Sequence, residues 1–158
     1  MIFPFQNPNS ELPISPFRDA RGEPVDAQLL SSLRSRLAPL LEGVRFAYVF
    51  GSFGSPYFSQ ESDLDVAVAF GAPLDAQGFL RLSGALSRAA GRDTDLLDLM
   101  RADPVIAMQV LKSGSVLLVQ DPKALAVFQM ATLAAYADQK LDRRPVERAL
   151  QSVMGGRA

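Results

Sequence analysis

The chain has no cysteine and no histidine in 158 residues. Without cysteine there is no disulfide, thiolate zinc site or thiol nucleophile, and without histidine there is no imidazole ligand and no Ser-His-Asp relay. Any chemistry falls to carboxylates, hydroxyls, Lys, Arg, Tyr and backbone groups. An excess of one charge is also lacking: 16 Lys and Arg against 17 Asp and Glu give a net charge of -1 and a pI of about 5.4. No overall positive field is available to hold a nucleic acid by its phosphates, so direct nucleic-acid binding is not expected. No run approaches about 18 uninterrupted apolar residues, the minimum that reads as a membrane span. The N-terminus carries Pro and Asn rather than a basic segment and an apolar run, so a secretory signal is not expected and the cytoplasm is the expected location.

What is present is 48% apolar content, enough to bury one core in a chain of 17.1 kDa. Residues 1–24 hold Pro4, Pro8, Pro13, Pro16 and Pro24, which forbids helix or central strand and predicts an extended arm ahead of a single domain over 25–158. Leucines recurring every three or four residues predict a helix from Asp26 to Leu41, shortened at Pro39 and ended by Gly43. Val44 to Phe50, Asp63 to Phe70, Thr94 to Met100 and Ser115 to Gln120 read as strands. Asp75 caps a helix running to Ala90, with Leu74 and Phe79 spaced as a hydrophobic staple. Asp103-Pro104 starts another, with Ile106, Val110 and Leu111 as its apolar stripe and Gly114 at its end. Asp121-Pro122 starts a last helix with Phe128, Met130 and Leu133 in the core, reaching Lys140 and continuing after a break near Pro145. The order predicts a mixed α/β (α+β-like) fold, a mainly four-stranded sheet with flanking helices, whose first two strands are neighbours.

The functional signal lies at Tyr48-Val49-Phe50-Gly51-Ser52 and, ten residues on, Asp63-Leu64-Asp65-Val66. Asp63 and Asp65 are two apart on a strand, so their carboxylates project the same way. A hard dication removes their repulsion, and Mg²⁺ takes one or two protein carboxylates with water and phosphate oxygens. Gly51 lets a phosphate approach without a Cβ in the way, and Ser52 supplies a hydroxyl and, if a helix starts there, free N–H groups. Asp95 on a neighbouring strand closes the site. Asp98 lies three residues further and faces the other side of a regular strand. Alone, Gly-Ser is usually a turn and Asp-x-Asp a solvated strand edge; together with a third strand acid they form a set that chance supplies rarely.

This set resembles the signature of the polymerase-β-type nucleotidyltransferases: Gly-Ser or Gly-Gly, a gap of this length, Asp-x-Asp, then a third carboxylate on a later strand. With the small size, Thr94-Asp95-Leu96-Leu97-Asp98-Leu99, Asp103-Pro104-Val105, Val110-Leu111, Gly114 to Leu118 and Tyr136-Ala137-Asp138 with Arg143 and Pro145, the chain is similar to the MntA family of minimal nucleotidyltransferase antitoxins from about residue 26 onward. The resemblance implies a nucleotidyltransferase fold, Gly51 and Ser52 as the triphosphate-binding turn, and Asp63, Asp65 and Asp95 as catalytic carboxylates and metal ligands. It further implies ATP as substrate, two Mg²⁺ ions, and AMP transfer to a tyrosine of a HEPN-domain ribonuclease toxin encoded next to it, within a hetero-oligomer. One departure stands out: the family continues Gly-Ser-x-Ala-Arg-Gly, whereas this chain has Phe53-Gly54-Ser55-Pro56, so a phosphate-neutralising Arg is absent from its place. Weaker activity, or substitution by another Arg, are the consequences left open. Two other functions remain: neutralisation of a toxin by binding alone, and nucleotidyl transfer to a small molecule or RNA end. Lys140, Arg143, Arg144 and Arg148 form a basic cluster, read as a solvated helix face ahead of a docking surface.

Overall fold

The computed structural model describes residues 27–53, 57–59 and 61–155; the arm expected over residues 1–24 lies outside them. Helix α1 spans Ala27–Leu37 and buries Leu30, Leu33 and Leu37, the three- and four-residue spacing that puts side chains on one face. Pro39 sits in the single 3₁₀ turn Ala38–Leu40 that follows, because its ring and missing N–H oppose a continued α-helix. Strands β1 (Phe46–Phe50) and β2 (Leu64–Ala69) come next, then α2 (Ala76–Ala90) and β3 (Thr94–Asp98). The Asp75 carboxylate caps α2 by accepting from the Gly78 N–H at 2.6 Å. Asp103 likewise accepts from the N–H groups of Val105 and Ile106 at the start of α3, Pro104–Ser113. Strand β4 covers Ser115–Val119, and α4 runs over Pro122–Gly155.

The sheet order is β3-β2-β1-β4. Strand β1 is antiparallel to both β2 and β4, and β2 is parallel to β3. Three strands therefore run one way and β1 runs against them. The C-terminal end of β1 and the N-terminal ends of the other three meet at one end of the sheet. Helices α1 and α2 cover one face over Val49, Leu64, Val66, Val68 and Leu117. Helices α3 and α4 cover the other, over Phe46, Tyr48, Ala67, Ala69 and Val116. Because both faces are covered, β2 is apolar on both sides along Val66 to Ala69, as buried strands are.

Three expectations are corrected. Helix α4 continues through Pro145 without a break. Met130 and Leu133 are exposed, at 58% and 46%, and the buried positions are Leu125, Gln129 and Thr132. Gln129 is buried with its Nε2 donating to the Tyr48 hydroxyl at 3.4 Å and its Oε1 without a partner. On α3 the buried stripe is Ala107, Met108 and Val110, with Ile106 40% exposed. No helix among the described residues is long and apolar enough to cross a membrane.

Phe46 is 2% exposed and packs at 5.2 Å between ring centroids against Phe128 and edge-on at 6.3 Å against Tyr48. Phe46→Ala is expected to lower stability by about 3–5 kcal/mol, read as a lower urea midpoint at unchanged slope.

Candidate active site

The meeting end of the four strands carries every residue singled out at the Gly-Ser and Asp-x-Asp motifs. Phe50 is registered against Asp65, and Asp65 against Asp95. Paired residues of neighbouring strands project to the same face, so the two carboxylates stand side by side on the face that α3 and α4 cover further down. Asp63 precedes β2 and is exposed, as is Asp95, while Asp65 is half-buried. Burial lifts the Asp65 carboxyl above its ordinary range, and the charges of Asp95 and then Asp63 raise it further. The three are thus electrostatically one cluster.

Gly51 completes the arrangement from β1. Its φ is +69°, and a Cβ built on it would overlap the Asp65 carboxylate, with the carboxyl carbon at 2.9 Å. Both the left-handed backbone and the contact require glycine. Ser52 is half-buried in the turn formed by residues 51–53; the residues through which a helix starting there would continue, 54–56, lie outside the described ones.

The loop leading to β2 is fixed from the side. Phe53 is buried and meets Phe58 edge-on at 5.3 Å. Arg92 lies 4.6 Å over the Phe58 ring, and its Nη1 donates to the carbonyls of Ser59 and Ser62 at 2.8 and 3.2 Å. Residue 92 carried no signal in the sequence, since the contact depends on β3 starting beside β2. Asp98, the alternative third carboxylate, is buried on the opposite face. It accepts from the N–H groups of Leu74 at 2.8 Å and Met100 at 3.0 Å and pairs with Arg101 at 3.8 Å. Asp98 is a turn-forming acid, and Asp95 is the one left facing the cluster. Asp93 is exposed just outside β3, its carbonyl accepting from the Leu64 N–H at 2.9 Å.

Among the described residues no group of three metal-ligating side chains is already disposed as a cage. The chemistry of the donor set still fits Mg²⁺, which is usually held by one or two carboxylates with the rest of its shell from water and phosphate oxygens. Asp65 with Asp63 or Asp95 offers such a pair.

The family description "Polymerase beta, Nucleotidyltransferase" matches residues 36–123, a span that includes Gly51, Ser52, Asp63, Asp65 and Asp95. The chain belongs to this nucleotidyltransferase family. Protein adenylyltransferase MntA of Shewanella oneidensis is 29% identical to this nucleotidyltransferase over 121 residues, covering 75% of this chain and 82% of its relative. A toxin–antitoxin crystal structure with AMP-PNP is similar at a TM-score of 0.65 and 27% identity, over 75% of this chain and 98% of the other. So is an MNT antitoxin in complex with tri-AMPylated Shewanella oneidensis HEPN toxin, at a TM-score of 0.62 and 26% identity, over 78% and 98%.

Two outcomes follow for this nucleotidyltransferase. The folded chain holds the Asp65 proton to higher pH than the unfolded chain, so this group favours folding below the ordinary Asp value of about 4 and loses that contribution as pH rises through the raised one. Asp65→Asn is therefore expected to melt above the wild type near pH 7 without divalent cations, the difference closing towards about pH 4. Thermal melts across pH measure it. Arg92→Ala removes the clasp on Ser59 and Ser62 and is expected to loosen that loop by about 1.5 kcal/mol or more, seen as faster limited proteolysis there and a raised KM for nucleotide.

Proposed function

We propose that this nucleotidyltransferase is an ATP- and Mg²⁺-dependent protein adenylyltransferase, an antitoxin that transfers AMP to a tyrosine hydroxyl of a HEPN-domain toxin with which it assembles. The observation that carries the reading is the registered pair Asp65 and Asp95 facing one way beside Gly51. Adenylyltransferase activity and a toxin partner are what the names of its relatives state, at a coverage that takes in most of both chains.

Each residue has a role in this reading. Gly51 lets the backbone close on the phosphates, and Ser52 offers its hydroxyl to them. Asp63 and Asp65 would hold the metal, with Asp95 adding a ligand from the next strand. Bound Mg²⁺ would supply charge stabilisation at the phosphates and the departing pyrophosphate. Asp95 accepts the proton of the acceptor hydroxyl as its oxygen bonds to the α-phosphorus; the bond from that phosphorus to the bridging oxygen breaks, and the electron pair leaves with pyrophosphate in line. A raised carboxyl at Asp65 is the expected state of such a cluster before cations enter it.

A second reading, neutralisation by occlusion alone, is favoured by one observation: residues 51–65 contain no Lys or Arg. Incubating the chain with labelled ATP, Mg²⁺ and its HEPN partner separates the two. Label is expected on a partner tyrosine, reduced about a hundredfold or more by Asp63→Ala with Asp65→Ala, since several kcal/mol of charge stabilisation goes with the ligands. Transfer that survives this double change overturns the site, and neutralisation without any label by the wild type establishes occlusion.

A further inference from the structure

The expected phosphate-neutralising residue is absent from the Gly51–Ser52 loop, and Arg92 is committed to loop carbonyls. A polyanionic triphosphate would therefore arrive at an end of the sheet bearing three carboxylates and no basic residue in the loop itself. The topology brings two cations to that same end from elsewhere. Helix α3 leads through Gly114 into β4, and a Cβ built on Gly114 lies 3.3 Å from the carbonyl of Val49, two residues before Gly51. Lys112, in the last turn of α3, thus lies at the same end of the sheet as Asp63, Asp65 and Asp95, beside β4 and two strands from β2. Its ammonium is 5.3 Å from the centre of the Tyr136 ring, and Lys140, one turn along α4, places its own 5.6 Å from the same ring. Both helices lie on the sheet face from which Phe50, Asp65 and Asp95 project.

Tyr136 is half-buried, and a cation over its ring is weakly favourable. Among the described residues neither ammonium forms an ion pair with a carboxylate, so an arriving anion would meet two cations that lack a charge partner.

We propose that Lys112 and Lys140, aligned by Tyr136, are the cationic half of the nucleotide site and bind the β- and γ-phosphates, substituting for the basic residue missing after Ser52. The inference rests on the adenylyltransferase reading and names the phosphate contacts of that site. The two ammoniums stay with the pyrophosphate as its bond to the α-phosphorus breaks, so they favour departure as well as binding. Tyr136 is a positioning residue and touches no reacting atom.

Calorimetric titration of the full chain with ATP, inorganic tripolyphosphate and adenosine, each with Mg²⁺, tests this. Lys112→Gln with Lys140→Gln keeps the methylene stems, and is expected to weaken ATP and tripolyphosphate binding by about tenfold or more while adenosine binding holds. The KM for ATP in AMP transfer rises in parallel, and Lys→Arg at both positions restores most of the affinity. Equal loss for adenosine, or a lowered melting temperature that accounts for the change, identifies a structural clamp and overturns the proposal. Unchanged ATP affinity and KM in a chain that transfers AMP also overturns it, leaving the proposed function intact. Lysine-dependent tripolyphosphate binding in a chain that transfers no AMP supports the cation site and removes the adenylyltransferase reading instead.

Discussion

The parallel, in-register pairing of β2 with β3 is the constraint on which the rest depends. It sets Asp65 directly beside Asp95, an arrangement that two carboxylates resist: burial raises the Asp65 carboxyl, and the Asp95 charge raises it further. The sheet tolerates it because the apolar pairs below, Val66 with Leu96 and Ala67 with Leu97, hold the register, and slipping by one residue would turn Leu64, Val66 and Val68 out of their core. Reversed β1 then delivers Gly51 to the same corner, where only a residue without a side chain fits against Asp65. The unfavourable charge cluster is thus imposed by favourable packing.

Within one short strand, acids three residues apart serve different ends. Asp98 is buried and satisfied by two backbone N–H groups and a guanidinium, fixing the turn that follows β3. Asp95 lies across the pleat, exposed. The alternation of a strand does the sorting, and it is why a pattern of two acids in six residues yields one carboxylate buried in a turn and one exposed beside Asp65. Tyr48 shows the same division in the core: burial pushes its phenol up to about 12, against the smaller opposing effect of the Gln129 hydrogen bond, so it serves as a neutral packing group.

What was legible in the sequence was local. Asp75, Asp103 and Pro104 announce helix starts because capping uses neighbouring N–H groups, and Asp65 shares its face with Ala67 and Ala69 because the strand period is two, while Asp63 stands just outside β2. Gly51 is legible as a glycine closing the strand in a turn, but its closest neighbour, Asp65, appears only once β1 and β2 pair. The inward face of α4 is not legible in the sequence since apolar residues occur around much of that helix; the face that packs on the sheet carries Ala124, Leu125 and Phe128 with Gln129 beside Tyr48. Lys140 and Tyr136 are spaced as neighbours on a helix and could have been paired by eye, whereas Lys112 joins them only through the packing of α3 on α4. Arg92 was invisible for the same non-local reason.

Helix α4, at 34 residues, is about 51 Å long, while the strands beneath it have five or six residues. The helix therefore outruns the body that supports it. Beyond Gln139 every residue whose side chain is described is exposed, and a helical segment without a buried face is only marginally stable in water. Protection of its amides against hydrogen exchange should accordingly grade along its length, high where Leu125 and Gln129 dock and falling past the last supported turn. Lys140 sits at that boundary, so a partner gripping the distal half would also decide how firmly its ammonium is held.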